Sequence, residues 1–336
     1  MSKAETPSRG LIIAGFLAVY LIWGSTYLGI AFAIETIPPF AMASIRFLLA
    51  GSVLFAIAKF NGVPNPTWRE WRSTAILGAL LLFVANSGLV WAEKHIASGL
   101  VALLVAIVPL WMVLFDWMWG GSRPTRAVII GVIIGFGGII FLIGPEQIFD
   151  KNADTNLVAT LVVVMCSVSW SIGSIYSRHA TLPKNSTMTT AAEMLSGGVF
   201  IGLLALVHGD WGQLDLAEIS FKSGASLVYL AVFGSIVAFS AYVWILKVST
   251  PARVATYAYV NPVVALFLGW AFADEEITPR TFVAAGIILG AVFIITVYRN
   301  RKPPTQIEIA EKKLEPKLET KSVRSTGPIQ VQTAEG

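Results

Sequence analysis

Two ionisable residues, Arg46 and Glu193, stand inside long apolar runs, and each has polar or aromatic company at helical spacing. An ionised side chain at the centre of a membrane helix costs about 2.5–3.5 kcal/mol on insertion scales and faces the protein interior or a watery cavity. In such a place Arg46 would hold an anionic group such as a carboxylate. Glu193 would hold an amine or carry a coupling proton. Thr189, Thr190, Ser196 and Gly197 fall at i−4, i−3, i+3 and i+4 from Glu193 and share its helical face. Tyr20, Trp23 and Tyr27 recur at helical spacing with Ser25 and Thr26 beside them, while Trp170 is flanked by Ser167, Ser171 and Ser174. Asn86 stands near Ser87 and Trp91, and Tyr257 lies four residues before Asn261. Rings contribute area against a flat organic substrate and hydroxyls fix its orientation. The candidate substrate-binding residues are therefore Arg46, Glu193, Trp23, Tyr27, Asn86, Trp170, Tyr257 and Asn261, with Glu193 also the proton-coupling candidate. Each has a plainer alternative: a permanent Arg46–Glu193 ion pair fastening two halves, aromatic core packing, or hydroxyls serving ordinary helix contacts.

The elements that would carry these residues are membrane helices. Hydrophobic residues make up 55% of the chain and charged residues 13%, against about 25% charged in soluble domains, and the mean hydropathy is +0.71. Apolar segments near 10–33, 38–58, 73–92, 98–118, 126–144, 155–177, 187–207, 222–246, 252–272 and 280–298 each approach or exceed the roughly 20 residues that cross about 30 Å of hydrocarbon. The first has no small-residue cleavage site and reads as a retained span.

The ten segments are two sets of five. A shift of 147 residues lays Trp23 on Trp170, Arg46 on Glu193, Leu48 on Leu195 and Gly51 on Gly198. A shift of 153 lays Ser87 on Ser240, Trp91 on Trp244 and Pro109 on Pro262, and a shift of 155 lays Gly131 on Gly286 and Gly135 on Gly290. An odd number of spans per copy makes the second enter the membrane from the opposite side. The expected fold is all-α and integral to the membrane, ten transmembrane helices arranged as two inverted five-helix repeats. The first repeat covers 10–144 and the second 155–298. A nine-residue N-terminus precedes them, and a tail over 299–336, rich in Pro, Glu, Lys, Thr and Ser, is expected to be disordered. Inverted repeats mark alternating-access carriers, with the substrate site near the midplane between halves. Where the copies differ, at Arg46 and Glu193, Asn86 and Phe239, and Val108 and Asn261, chemistry is expected.

Charge orients the chain. Nineteen Lys and Arg residues fall on the side of both termini and four on the other, so both termini are expected in the cytoplasm. The pI of about 9.1 then follows from topology, and nucleic-acid binding is not expected. His95, His179 and His208 are isolated and lack metal-ligand spacing, no P-loop is present, and no connection has room for a catalytic domain. Neither an enzyme, a metal site nor a cofactor is expected, and ATP does not drive the process directly. Cys166 reads as a packing residue, and Glu93, Lys94 and His95 as a solvated cap at the end of the third span. Asp116 is expected to pair with Arg123 or Arg126. Pro109 and Pro262 each remove a backbone hydrogen bond and are the hinge candidates, with a kink expected at both. Gly131-x-x-x-Gly135 and Gly286-x-x-x-Gly290 read as helix-packing faces, a homodimer through them being left open.

The stretch Ile22-Trp23-Gly24-Ser25-Thr26-Tyr27, Arg46-Phe47, Ala92-Glu93 before Ser98-Gly99, Pro109, and Tyr257-Ala258-Tyr259-Val260-Asn261-Pro262 together resemble the EamA-type members of the drug/metabolite transporter superfamily, in particular the YedA-like branch of bacterial inner-membrane exporters. The resemblance covers about residues 11–300. It implies a ten-helix carrier in the bacterial plasma membrane that exports small metabolites, amino acids or amphipathic drugs. Importers and exchangers of phosphorylated or nucleotide-linked sugars elsewhere in the superfamily are the competing reading, and a channel is a more distant one. Such sugars would want several deep cations, and Arg46 alone lies deep in a span.

Overall fold

The computed structural model describes residues 8–120, 123–143, 155–248 and 256–299. Ten helical spans follow one another: α1 Arg9–Ala33, α2 Pro39–Phe60, α3 Trp68–Ala92, α4 Ser98–Met118, α5 Arg126–Ile143, α6 Thr155–Tyr176, α7 Ser186–His208, α8 Phe221–Val248, α9 Tyr257–Phe272 and α10 Pro279–Arg299. Nine are long and apolar enough to cross a membrane, and α9 is a shorter apolar helix of 16 residues. No strand occurs among the described residues. The tail expected to be disordered lies outside them, apart from its first residue.

The helix starts are written in short polar residues. Ser8, Thr67, Asn185 and Ser220 accept hydrogen bonds from amides of the first turns of α1, α3, α7 and α8, Thr67 within a full capping box with Glu70. Two further starts take their caps from the other repeat. The Asp210 carboxylate accepts from the amides of Phe40 at 2.7 Å and Ala41 at 3.2 Å, and Glu275 accepts from Ser98 at 2.7 Å and Gly99 at 3.0 Å. The orphan donors and positive ends of α2 and α4 are thus met by carboxylates that follow α7 and α9.

The halves meet where α2 crosses α7 antiparallel. A Cβ on Gly51 would lie 3.0 Å from the Leu195 nitrogen, and one on Gly198 would lie 3.1 Å from the Leu48 nitrogen. Since Leu48 corresponds to Leu195 and Gly51 to Gly198, the contact is reciprocal, as an internal twofold requires. Ser44 adds a bond from its hydroxyl to the Gly198 carbonyl at 2.9 Å. On the other flank a Cβ on Gly78 of α3 would come within 2.7 Å of the Glu193 carbonyl oxygen, and Gly197 faces Gly78 in return. Gly131 and Gly135 of α5 bear on Ile295 and Ala291 of α10 and on Leu110 of α4. Gly286 and Gly290 meet nothing within 4 Å, so the packing expected of that pair is not made among the described residues.

Regular helix fails at four places. Val19–Trp23 in α1, Gly78–Val84 in α3 and Leu230–Val237 in α8 are π-helical, the last two at repeat-equivalent positions. In α4 the helix stops at Val105 and restarts at Val108, bridged by Ala106 donating to Leu103 at 3.3 Å and Ile107 to Leu104 at 3.4 Å. Pro109 in the restarted turn supplies no N–H and forbids a continuous ladder, and Ser171 of α6 donates to the Val108 carbonyl at 3.1 Å. Pro262 lies inside α9, which is helical through the equivalent step at 259–260. The hinge candidates thus differ: one breaks its helix and the other is carried within it.

Substituting Gly78 or Gly197 by valine is expected to overpack the α3–α7 contact and cost about 1–3 kcal/mol, read as a lower melting temperature of the detergent-purified protein. Gly286→Val, in open space, is expected to leave melting within error of the wild type.

Candidate functional site

The site is assembled on the π-helical turn of α8. Widening the helix there places two consecutive residues, Gly234 and Ser235, toward α1 and α2. The Trp23 indole donates to the Gly234 carbonyl at 3.1 Å, and Arg46 Nε donates to Ser235 Oγ at 3.0 Å. Position 234 has no room for a side chain, since a Cβ would sit 2.9 Å from the Thr26 methyl and 3.2 Å from Arg46 Nη2. Arg46 is only 6% exposed, and its Nη1 has no hydrogen-bond partner in the protein. A buried, unpaired guanidinium nitrogen costs free energy unless something else accepts from it.

Aromatic rings from two helices, α8 and α9, close around Trp23. Its ring centroid lies 5.8 Å from Phe239, 5.0 Å from Tyr242 and 5.5 Å from Tyr257, and Tyr242 and Tyr257 meet edge to face at 5.9 Å. Asn261 ties this wall to α1: with its amide oriented by its neighbours, the nitrogen donates to the carbonyls of Tyr257 at 3.2 Å and Tyr20 at 3.3 Å. Gly24 lets α9 approach, because a Cβ there would strike the Val264 side chain at 2.7 Å. The Tyr20 hydroxyl bonds Thr256, and Ser25 bonds the Tyr229 hydroxyl at 2.5 Å. Tyr27, one turn beyond Trp23, is half-buried and lies in electrostatic range of Tyr257 and Glu93.

The structure therefore brings Arg46, Trp23, Tyr27, Tyr257 and Asn261 together through α1, α2, α8 and α9. Trp170 and Asn86 belong to the other flank, where α6 packs on α3 and α4. Trp170 is half-buried, and the Asn86 Oδ1 and Ser87 Oγ atoms are buried without protein partners. Glu193 is half-buried on α7, and no ion pair joins it to Arg46 among the described residues. The glycine contacts place Glu193 level with Val53, seven residues from Arg46, so the two backbones are offset by about 10 Å along the helices. The hydroxyls around Glu193 and Trp170 are mostly engaged locally: Thr189 donates to the Pro183 carbonyl, Ser196 to Ala192, Ser167 to Val164 and Ser174 to Trp170.

Two sequence expectations require correction. Glu93 is not a solvated cap: both carboxylate oxygens are buried without a hydrogen-bond partner, and its charged neighbours are Glu275 and Arg46. Asp116 pairs with Arg178, at 3.5 Å, across the repeats. Sequence reading also passed over Tyr242 and Ser235. Tyr242 lies 15 residues before Tyr257 and joins it only because α8 and α9 run antiparallel; Ser235 gains its role from a π turn with no spacing signature.

The EamA-like transporter family profile matches this chain twice, over residues 10–144 and 157–297. The uncharacterized inner membrane transporter YedA of Escherichia coli K12 is 36% identical over 288 residues, covering 85% of this chain and 90% of that protein. The uncharacterized transporter YoaV of Bacillus subtilis is 22% identical, covering 87% and 98%. A crystal structure superposes with a TM-score of 0.61 at 20% identity, covering 88% of this chain and all of the other, a likeness of fold.

Ser235→Ala removes the acceptor of Arg46 Nε. The expected cost is about 1.5–3 kcal/mol, the range for a hydrogen bond to a charged group, seen as a fall in melting temperature that Ser235→Thr largely restores.

Proposed function

Because the chain belongs to the EamA-like transporter family, we propose that its central site carries a small organic metabolite with a carboxylate and an apolar or aromatic body, and exports it by alternating access. The observation that carries this reading is the unpartnered, buried Nη1 of Arg46 beside the Trp23, Tyr242 and Tyr257 wall. A guanidinium fixed through Nε still presents donors for a carboxylate, and the rings bury the rest of the molecule. Tyr27 and Asn261 border the same space, while Asn86, Trp170 and Glu193 line the approach from the second flank. Pro109 and Pro262 are the proposed hinges. The positive-inside bias supports cytoplasmic termini, and likeness to an inner membrane transporter supports a bacterial plasma-membrane location.

Arg46 is the only buried Lys or Arg among the described residues. One deep cation suits a carboxylate better than a phosphate dianion, which disfavours the sugar-phosphate reading.

The test is uptake into liposomes holding the full chain, with a panel of radiolabelled amino acids, amines, organic acids and sugar phosphates, with and without an imposed pH gradient. Transport of carboxylate-bearing members is expected to fall at least about tenfold in Arg46→Gln, equivalent to about 1.4 kcal/mol. Undiminished uptake in that variant, or uptake confined to sugar phosphates, overturns the reading.

A further inference from the structure

Glu93 stands at the residue after α3, in electrostatic range of two charges that are themselves fixed. Arg46, only 6% exposed, is moored to Ser235 through Nε with Nη1 unpartnered. Glu275 accepts through its two oxygens from the amides of Ser98 and Gly99 at the start of α4. Glu275 is also wedged in place, because any Cβ on Gly269 would overlap its carboxylate. Glu275 thus meets two amide donors at the positive end of a helix. Glu93 has neither donor nor water-exposed oxygen. Burial foremost, then the Glu275 charge, pushes its carboxyl well above the usual carboxylate range, with Arg46 opposing. The remaining titratable neighbours are Tyr27 from α1 and, beside it in the chain, exposed Lys94 and half-buried His95, whose ring lies tilted against Trp91 at 4.5 Å.

We propose that Glu93 is an exchange site for a proton and an organic ammonium group: the empty carrier holds a protonated carboxyl there, and a substrate whose carboxylate sits on Arg46 replaces that proton with its own N–H donors. This rests on the transport reading above and names its substrate class as zwitterionic. The exchange balances simply. The carboxyl O–H bond breaks, the proton leaves to water, and the carboxylate pairs with the ammonium ion; since the substrate is net neutral, the site as a whole loses one positive charge, that of the proton released. Proton and substrate then compete for one place, the arrangement that makes a carrier an antiporter.

The full-length protein in detergent is examined by pH-difference infrared spectroscopy. A protonated-carboxyl band is expected that is lost in Glu93→Gln and retained in Glu193→Gln. Its midpoint is expected to rise by about one pH unit or more in Arg46→Gln and to fall in Glu275→Gln. A spectrum unchanged by Glu93→Gln overturns the proposal. In weakly buffered solution, phenethylamine is expected to release protons from the wild type and none from Glu93→Gln, while 3-phenylpropionate releases none from either. Equal release from both proteins, or none from the wild type, also overturns it. Liposome flux separates the two readings. Exchange at Glu93 without flux of any probe counts against the transport reading alone. Carboxylate-dependent flux with the same pH profile in wild type and Glu93→Gln counts against the exchange alone.

Discussion

The crossing of α2 and α7 sets the level of every residue in the site. Between membrane helices the lipid tails are as apolar as leucine, so association depends on close packing and a few hydrogen bonds. Gly51 against Leu195, and Gly198 against Leu48, supply that closeness twice about one internal axis, and Ser44 closes it with a bond to the Gly198 carbonyl. This register fixes Arg46 and Glu193 about 10 Å apart along the helices. Gly78 brings α3 onto the same seam through Gly197 and the Glu193 carbonyl, and with α3 come Asn86 and Glu93. A side chain at either small position would move both halves of the site together.

Polarity is distributed unequally around that axis. Backbone groups inside a bilayer must find partners within the protein, and they do so here through serines that back-bond and through Ser171 at the broken step of α4. The described side-chain atoms left buried without partners belong to α2, α3, α4 and the α3–α4 connection: Arg46, Asn86, Ser87, Glu93, Ser98 and Trp111. Against this surplus in the first repeat, the second contributes Phe239, Tyr242 and Tyr257. A ligand with charged ends on an apolar body matches a space with polar groups from one repeat and rings from the other.

How far the fold was legible follows from how each feature is encoded. Apolar runs and matched positions such as Trp23 and Trp170 are first-order properties of the sequence, so ten helices and their inversion could be read directly. The matches of Gly51 with Gly198 and Leu48 with Leu195 were legible, but the reciprocal contact they make was not. Depth within a helix was legible too, which is why Arg46 was found. Lateral neighbours were not. Repeat equivalence left an ion pair between Arg46 and Glu193 open, yet the antiparallel register and the mooring of Arg46 on Ser235 send the guanidinium elsewhere. Glu93 beside Lys94 and His95 read as a surface cluster, since nothing local reveals that the segment after α9 brings Glu275 to the start of α4. The π turns are silent in sequence because they use the same apolar residues as the α-helix they interrupt.

The two proline steps bear on how such a site would change sides. An inverted repeat can reach its opposite-facing state if the halves exchange conformations, and the difference between the halves then identifies what must change. Here α4 is broken at 106–107 while α9 is helical at the equivalent 259–260. Exchange would join the broken step of α4 and open that of α9. The first would relieve Val108 of its bond from Ser171, and the second would disturb the turn where Asn261 reaches the carbonyls of Tyr257 and Tyr20. Tyr257 belongs to the aromatic wall, and Gly99, at the start of the broken helix, bonds the carboxylate that flanks Glu93. Rearranging either proline step would therefore reach both the ring surface and the buried charges at once, which is the mechanical coupling that alternating access requires.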